Sequence, residues 1–288
     1  IVNIQYQTAA YGMHPAINLL PRLHPSVPFV VTCHDLLVPY LFPKAGPIRW
    51  WANLALLRTC KAAIVTNQED FERLQEERHL PPLHLIPIGS NIADSRPTDY
   101  CRVAWRRRWG VADETTLLCY FGFLNASKGG IELISALDEL RRAGRDVHLM
   151  MIGGAVGASD PTNRDYLDQV KRLIAERGLG EHVTWTGHLT SEEVSASLCS
   201  ADVCVLPYRD GASFRRGSLM AALVHGLPII STRPQVDIPE MVHGGNIWLV
   251  TPEAPGALAA AIARLADDDD LRMNLGDGAR ALSWRFDW

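Results

Sequence analysis

The chain has 288 residues, of which 47% are hydrophobic and 21% charged, and its formal net charge at pH 7 is −4. This composition is typical of a globular protein large enough for two domains, and its negative charge gives no reason to expect nucleic acid as a partner. No apolar run approaches the ~18 residues that span a bilayer, and the six cysteines have neither disulfide nor zinc spacing, so we expect reduced core thiols.

Short β-branched runs alternate with amphipathic stretches from the first residues onward, which is typical of parallel βαβ units. The pattern predicts strands near residues 2–6, 28–33, 62–66 and 84–88, and helices near 14–23, 46–60 and 68–79. Residues 90–99 are polar and aperiodic and form the predicted linker. The chain begins directly in a strand, so we expect the first domain, residues 1–94, to be incomplete at its start.

A second series of strands and helices fills residues 95–288, the predicted second domain. Its strands are expected near 115–121, 146–152, 182–186, 202–206, 228–231 and 246–250. Its helices are expected near 99–109, 128–143, 163–178, 190–200, 217–225 and 254–266, and Asp267–Asp270 is interpreted as a solvated turn. Two doubly wound domains place a ligand cleft between the carboxyl ends of their sheets.

The segment YFGFLNASKGG (120–130) combines a strand, a short polar loop and a helix start. Gly122 permits close approach of a ligand to the backbone, and Lys128 places an ammonium beside a helix N-terminus. Both features favour an anion. The alternative is a surface lysine in an ordinary first turn.

The segment RDGASFRRGSLMAAL (209–223) supplies a second candidate anion site after the strand ADVCVLP. We expect Ser213 to cap the helix, with Arg215, Arg216 and Gly217 at its mouth. Arginine can bind phosphate through two hydrogen bonds, and its charge opposes the helix dipole unless an anion is present. The alternative is that both arginines are solvated.

Two further segments carry candidate residues in the first domain. His34 and Asp35 follow the strand VVTC and are expected at the cleft, where His34 can donate a hydrogen bond to a substrate. RWWANLALL (49–57) is interpreted as a core-facing helix, although its two tryptophans are compatible with a membrane interface. VAWRRRWG (103–110), in the second domain, is interpreted as a short helix and not as a nucleic-acid site.

The histidines show no metal spacing, so no metal site is predicted.

The order of these segments resembles the retaining glycosyltransferases of family 4, which have the GT-B architecture of two Rossmann-like domains facing a cleft. In this family a strand is followed by G-R-L, K-G and L-I-x-A, and the chain has GFLNASKGGIELISA. The later family motifs are matched by MMIGG, VTWTG, ADVCVLP, VHGLPII and IPEMV, and the earlier ones by His34-Asp35, KAAIVTN and IPIGSNI. The resemblance covers nearly the whole chain.

The resemblance implies roles for particular residues. Gly122 and Lys128 would bind the diphosphate of a nucleotide sugar, together with the Ser213, Arg215, Arg216 and Gly217 segment, and His34 would lie over the transferred sugar as the catalytic residue. His188 and Leu189 would hold the nucleobase, and Asp35 and Glu240 would bind the sugar. Neither a cofactor nor a metal would be needed, because cations and helix dipoles stabilise the leaving diphosphate.

The chain also departs from the family pattern. Phe123 replaces the arginine that follows Gly122, and the two glutamates of E-x7-E fall on Ser213 and Ala221. We therefore expect a divergent hexosyltransferase that acts on a glycan or lipid-linked acceptor in the cytoplasm, with peripheral membrane association left open. The alternatives are a degenerate nucleotide- or glycan-binding partner, and a GT-B sugar-nucleotide epimerase or hydrolase.

Overall fold

A computed structural model of the chain describes residues 1–11, 14–36, 46–154 and 161–286. The chain divides into two compact units. The first unit comprises Ile1–Ile88 with Ser213–Arg215, and the second comprises Gly89–Ala212 with Arg216–Trp288. The predicted domain ranges of 1–94 and 95–288 remain predictions.

The first unit contains a four-stranded parallel sheet in the order β1-β2-β3-β4. Its strands are β1 (Val2–Gln7), β2 (Phe29–Asp35), β3 (Ala62–Val65) and β4 (Leu83–Leu85), and its helices are α1 (Ala16–Leu23), α2 (Gly46–Leu57) and α3 (Gln68–Gln75). All seven predicted elements are confirmed. Because the strands follow one another in sequence order and parallel crossovers are right-handed, the three helices lie on one face of the sheet.

Polar contacts join the helix layer to the sheet of the first unit. Tyr6, on β1, donates a hydrogen bond from its hydroxyl to Asn53 Oδ1 (2.8 Å), and the amide of Asn18 donates to the carbonyl of Ala52 (3.1 Å). Asn18 and Asn53 are both buried. These bonds satisfy buried polar groups and fix α1 against α2.

The second unit contains a six-stranded parallel sheet in the order β10-β9-β8-β5-β6-β7. Its strands are β5 (Thr116–Phe121), β6 (Val147–Ile152), β7 (Val183–Trp185), β8 (Val203–Leu206), β9 (Ile229–Thr232) and β10 (Trp248–Val250). Their continuous apolar runs are buried, as expected for a sheet covered by helices on both faces. The six predicted strands are confirmed.

Seven helices are described in the second unit. They are α4 (Arg102–Arg108), α5 (Gly130–Arg142), α6 (Pro161–Glu176), α7 (Ser191–Ser200), α8 (Gly217–Val224), α9 (Pro255–Ala266) and α10 (Asp269–Ser283). The first six confirm the predictions. The prediction of a solvated turn at Asp267–Asp270 is wrong. Helix α10 begins here, and the side chain of Asp268 caps it by accepting a hydrogen bond from the N–H of Leu271. None of the described helices combines the length and the apolarity needed to cross a membrane.

The helix predicted from VAWRRRWG has a structural role. Arg106 is 1% exposed and binds the carboxylate of Asp202, which also accepts the N–H of Leu117 at the start of β5 (2.7 Å). Arg106 further binds the carbonyls of Ala112 and Thr115. The buried guanidinium therefore connects α4 to the edge of the sheet. This supports the interpretation of VAWRRRWG as a structural helix and not as a nucleic-acid site.

The cysteines are free thiols. Cys33, Cys60, Cys119 and Cys204 are buried, and burial raises the pKa of Cys60 to about 11. The expectation of a core position is wrong for Cys101, which is exposed just before α4.

Candidate functional site

The second sheet changes direction between β5 and β8. From β5 the chain continues through β6 to β7 on one side, and then returns to β8 and continues to β10 on the other. In open parallel sheets, ligands bind outside the carboxyl ends of the strands at such a switch point. The loops that follow β5 and β8 are therefore the place to look for a site.

The Lys128 loop, residues 122–129, follows β5 and is held in a fixed shape. Asn125 caps its single 3-10 turn by accepting the N–H of Ser127 (3.1 Å). Gly129 has φ +70°, and a Cβ there would lie 1.9 Å from the carbonyl oxygen of Pro207. The loop thus packs directly on the chain that follows β8, and α5 begins immediately after it.

The Tyr208 loop, residues 207–212, follows β8 and meets the Lys128 loop through main-chain and side-chain contacts. The N–H of Arg209 donates to the carbonyl of Ser127 (2.9 Å), and Arg209 Nε lies 2.7 Å from Glu132 Oε1 in the first turn of α5. Tyr208 is fully buried and its hydroxyl lies 2.7 Å from Ser218 Oγ at the start of α8. Burial raises the pKa of Tyr208, so its ring stays neutral.

Two cationic side chains contact the ring of Tyr208. Lys128 Nζ lies 4.8 Å from its centroid and Arg216 Cζ lies 5.0 Å from it. Both lie within cation–π range, and the ring thereby brings together charges from the loops after β5 and β8. The structure thus brings together Lys128 and Arg216, which lie in separate segments of the sequence; their role in diphosphate binding stays a prediction.

The start of α8 adds an electrostatic contribution at the same location. Arg216 is the N-cap residue, and it makes no side-chain hydrogen bond to the helix. The first turn contains no acidic residue, and a Cβ at Gly217 would meet no atom within 4 Å. A Cβ on Gly122 would lie 3.7 Å from Ser218 Cβ, so the end of β5 adjoins this helix start. Free N–H groups at a helix N-terminus favour an anion.

One carboxylate reduces the positive charge of the site. Asp210 contacts the guanidinium of Arg216, whose side chain is 13% exposed. Arg216 Nε is buried and has no hydrogen-bond partner among the described residues. Asp210 competes with phosphate for the guanidinium.

The predicted cap at Ser213 is wrong. Helix α8 begins at Gly217 after Arg216, and Ser213 Oγ instead accepts the N–H of Arg215 (3.4 Å). Ser213 and Arg215 are grouped with the first unit, where Arg215 NH1 lies 3.5 Å from Glu69. A role for these two residues in diphosphate binding stays a prediction.

The first-unit candidates lie at the end of β2. His34 Nε2 is 2.7 Å from Gln5 Oε1 on the neighbouring strand, and His34 is half-buried. Asp35 is the last residue of β2, and its side chain lies outside the described part of the chain. Both residues occupy the carboxyl edge of the sheet, as predicted.

The predicted nucleobase residues lie at the carboxyl edge of the second sheet. His188 is exposed and Leu189 half-buried, and both follow Gly187, which bridges Gly153 after β6. The ring of the exposed Phe123 lies near Gly154, where a Cβ would be 3.2 Å from it. Since β6 adjoins β5 and β7 adjoins β6, these loops continue the edge that holds the Lys128 loop.

Glu240 has a partner of its own. Its carboxylate lies 3.2 Å from Arg285, and its carbonyl accepts a hydrogen bond from Asn246 (2.8 Å). A role in sugar binding would compete with this ion pair and stays a prediction.

Three potential metal ligands come together elsewhere in the second unit. Within the described residues, Asp94, Cys199 and His225 place ligand atoms within 4.8 Å of one another. His225 Nδ1 lies 2.7 Å from the carbonyl of Ala221, and Nε2 lies 2.9 Å from Ser195 Oγ. Asp94 additionally pairs with two arginines. Existing hydrogen bonds and ion pairs thus account for these groups without a metal, and the absence of a metal site stays a prediction.

Sequence reasoning missed four residues of the site: Glu132, Tyr208, Arg209 and Asp210. The glutamate and arginine lie 77 residues apart and meet only because β5 and β8 are neighbours. The available signal was the position of Tyr208 and Asp210 directly after β8, at the same sheet edge as Lys128.

Comparison with known proteins shows the family of the chain. The family described as "Glycosyl transferases group 1" matches residues 115–268, which are more than half of the chain and include all six strands of the second sheet. The chain belongs to this family. The matched range includes both the Lys128 loop and the Tyr208 loop.

Individual relatives extend the likeness to both units. Alpha-D-kanosaminyltransferase of Streptomyces kanamyceticus is 26% identical over 89% of this chain and 66% of that protein. A GDP-mannose-dependent alpha-(1-6)-phosphatidylinositol monomannoside mannosyltransferase of Mycolicibacterium smegmatis is 29% identical over 82% and 63%. The chain thus spans less than two thirds of the length of these curated relatives.

A solved structure supports the fold. Anabaena HepE, in complex with UDP and glucose, has a TM-score of 0.79 and 21% identity, covering 95% of this chain and 71% of HepE. This likeness confirms the predicted GT-B fold class, an α/β protein with two Rossmann-like domains.

Proposed function

We propose that this group 1 glycosyltransferase chain moves a hexose from a nucleotide-sugar donor to a glycan or lipid-linked acceptor, with retention of configuration. One observation carries the proposal: Lys128 and Arg216 both lie within 5.0 Å of the Tyr208 ring centroid at the switch point of the sheet, beside the start of α8. This grouping fits a diphosphate. HepE, which shares the fold, was crystallised with UDP and glucose, and the M. smegmatis relative is named for its GDP-mannose donor.

The chemistry follows from where charge develops. When the bond between the anomeric carbon and the diphosphate oxygen breaks, the electron pair stays on the diphosphate. Lys128, Arg216 and the N–H groups of α8 would stabilise that charge, which is why we propose that neither a metal nor a cofactor is required. His34 would contact the sugar. An acceptor hydroxyl would form the new bond to the anomeric carbon, and its proton would pass to the departing diphosphate oxygen.

Binding to the proposed site is tested with the full-length protein. Thermal shifts against UDP, GDP, ADP and their sugars identify the donor. We expect Lys128→Ala and Arg216→Ala each to raise the Kd about 10- to 100-fold, as for loss of a hydrogen bond to a charged group. Arg107→Ala, on an exposed arginine of α4, is the matched control. A nucleotide whose Kd is unchanged in both variants would refute the site, and a folded protein that binds no nucleotide would refute the donor.

Turnover is tested with the identified donor. We expect the product to have the same anomeric configuration as the donor, by NMR, and the rate to survive EDTA. An inverted product or a loss of activity in EDTA would contradict retention or metal independence respectively.

A degenerate, binding-only protein is a second candidate. It is favoured by the positions of the family's two glutamates, which hold Ser213 and the fully buried Ala221 here. Nucleotide binding that depends on Lys128 and Arg216, without transfer to any acceptor, would favour this candidate.

A further inference from the structure

Tyr208 is a fixed part of the fold, although the two cationic side chains that it contacts are of flexible types. Its side chain is fully buried. The hydroxyl of Thr232, a buried residue of β9, donates a hydrogen bond to the backbone carbonyl of Tyr208 (2.5 Å). Free lysine and arginine side chains have many rotamers, and ordering them costs conformational entropy. A rigid ring in contact with both can therefore reduce that cost before a ligand arrives.

The contacts with the ring leave the hydrogen-bonding capacity of the cations in place. In a cation–π contact the charge lies over the face of the ring, and the N–H groups keep their capacity to donate elsewhere. Asp210, by contrast, contacts an N–H group of the Arg216 guanidinium. An anionic ligand can thus replace Asp210 on Arg216 without displacing the guanidinium from Tyr208.

The hydroxyl of Tyr208 connects the ring to the start of α8, where it lies 2.7 Å from Ser218 Oγ. A phenol is a much stronger acid than an aliphatic alcohol, so Tyr208 is the better donor of the two. Burial raises the pKa of Tyr208, and the phenol therefore keeps the proton that it donates. With Ser218 Oγ as the acceptor, the proton of Ser218 is directed away from Tyr208.

Ser218 lies at the helix start that better suits an anion. At the start of α5, the N–H of Ile131 donates to the hydroxyl of Tyr166 (3.2 Å), and the first turn carries Glu132. The first turn of α8 has no acidic residue, and Ser218 is its second residue. A Cβ on Gly122 would lie 3.9 Å from Ser218 Oγ, so this hydroxyl also adjoins the end of β5.

We propose that Tyr208 is a positioning residue of the donor site, and that Ser218 supplies a third side-chain contact to the diphosphate. The ring of Tyr208 holds Lys128 and Arg216 in place, and its hydroxyl orients the Ser218 O–H toward a phosphate oxygen. This inference rests on the proposed function, to which it adds a neutral donor and a fixed aromatic ring.

The pair of hydroxyls is tested by calorimetric titration of the full-length protein with UDP, GDP, ADP and pyrophosphate. Ser218→Ala should raise the Kd of each probe that binds about 10- to 100-fold, as for a hydrogen bond to a charged group. Tyr208→Phe keeps the ring and should raise the Kd about two- to tenfold. Because the hydroxyl of Tyr208 acts through Ser218, adding Tyr208→Phe to Ser218→Ala should change the Kd less than about twofold.

The ring is tested by Tyr208→Leu. This variant should bind the same probes about tenfold more weakly than Tyr208→Phe, because it loses two cation–π contacts. In an Arg216→Ala background the further loss should shrink to about threefold, since one of the two contacts is already absent. Circular dichroism checks the folding of each variant, and the pair of hydroxyls tests the proposal independently of Tyr208→Leu.

Two variants that remove buried hydroxyls elsewhere are matched controls. Tyr6→Phe removes the donor to Asn53 (2.8 Å), and Ser283→Ala removes the donor to the carbonyl of Arg280 (2.7 Å). Both residues are buried, as Tyr208 is, and both lie outside the proposed site. Each control should leave the Kd of every probe unchanged.

The inference is overturned if Ser218→Ala and Tyr208→Phe leave the Kd unchanged in a protein where Lys128→Ala and Arg216→Ala raise it, and the proposed donor site would then stand. It is also overturned if the effects of Ser218→Ala and Tyr208→Phe are independent, because the two hydroxyls would then act separately. If the wild-type protein binds none of the four probes, the donor site and this inference fail together.

Discussion

At the residue scale, Gly129 couples the backbone conformation of the Lys128 loop to its packing. Its φ of +70° lies in the left-handed region, and the carbonyl of Pro207 occupies the space where a side chain would begin. The neighbouring Lys128 therefore depends on a glycine for its approach to the Tyr208 ring. In the K-G pair, Lys128 therefore supplies the charge and Gly129 is required for steric reasons.

Gly129→Ala tests this requirement. A Cβ 1.9 Å from Pro207 O must displace main chain, so we expect the free energy of unfolding to fall by about 3 kcal/mol or more. Gly217→Ala is the matched control, since a Cβ there meets no atom within 4 Å and its effect should stay within about 1 kcal/mol. Urea denaturation of the full-length variants measures both, and equal stabilities would show that the loop can move aside.

At the scale of elements, the Glu132–Arg209 pair holds the Lys128 loop and the Tyr208 loop together. The glutamate side chain is 9% exposed and the arginine 31%. Glu132 comes from the first turn of α5, and Arg209 also bonds Ser127 through its backbone N–H. The pair thus fixes the start of α5 against the loop after β8. Lys128 lies between the start of α5 and that loop.

Glu132→Gln should lower the free energy of unfolding by about 2 kcal/mol, because it leaves Arg209 without its charged partner. A double-mutant cycle with Arg209→Gln should give a coupling energy of about 1–2 kcal/mol. If the pair also positions Lys128, Glu132→Gln should weaken binding of the nucleotide whose Kd responds to Lys128→Ala.

The control lies on the same helix. Arg142 pairs with Asp138 one turn apart, but its side chain is 66% exposed, so Arg142→Gln should cost no more than about 0.5 kcal/mol. Additive effects of Glu132→Gln and Arg209→Gln would contradict a coupled pair.

The elements also show what sequence reasoning can and cannot reach. Strands such as β5 and β8 were predictable because their β-branched and apolar runs are bounded by turn residues. Helix α10 was missed because four consecutive aspartates suggest a turn, whereas Asp268 caps the helix and Asp269 and Asp270 favour its N-terminal dipole. The Tyr208 ring beneath two cations was not predictable, because that contact exists only after β5 and β8 have paired.

At the scale of the whole molecule, buried histidines link stability to pH. Burial lowers the pKa of His148 and of His225 below the ordinary value of 6.5. The contacts of His225 fit a neutral ring, in which Nδ1–H donates to the carbonyl of Ala221 and Nε2 accepts from Ser195. The same Ser195 hydroxyl accepts the N–H of Ser95 (3.0 Å), so protonation of His225 would disturb a contact of residues 90–99 with α7.

Stability should therefore fall as pH decreases through about 6.5. Below that pH the unfolded chain takes up protons on His148 and His225 while the folded chain does not, so the free energy of unfolding increases with pH until the unfolded histidines are neutral. The ion-paired Asp146 and Glu193, whose pKa values hydrogen bonding lowers from 3.8 and 4.5, contribute only at lower pH. Urea denaturation between about pH 5 and 7.5 isolates the histidines. His148→Gln with His225→Gln should flatten this slope, and an unchanged slope in a folded double variant would place the proton uptake on other groups.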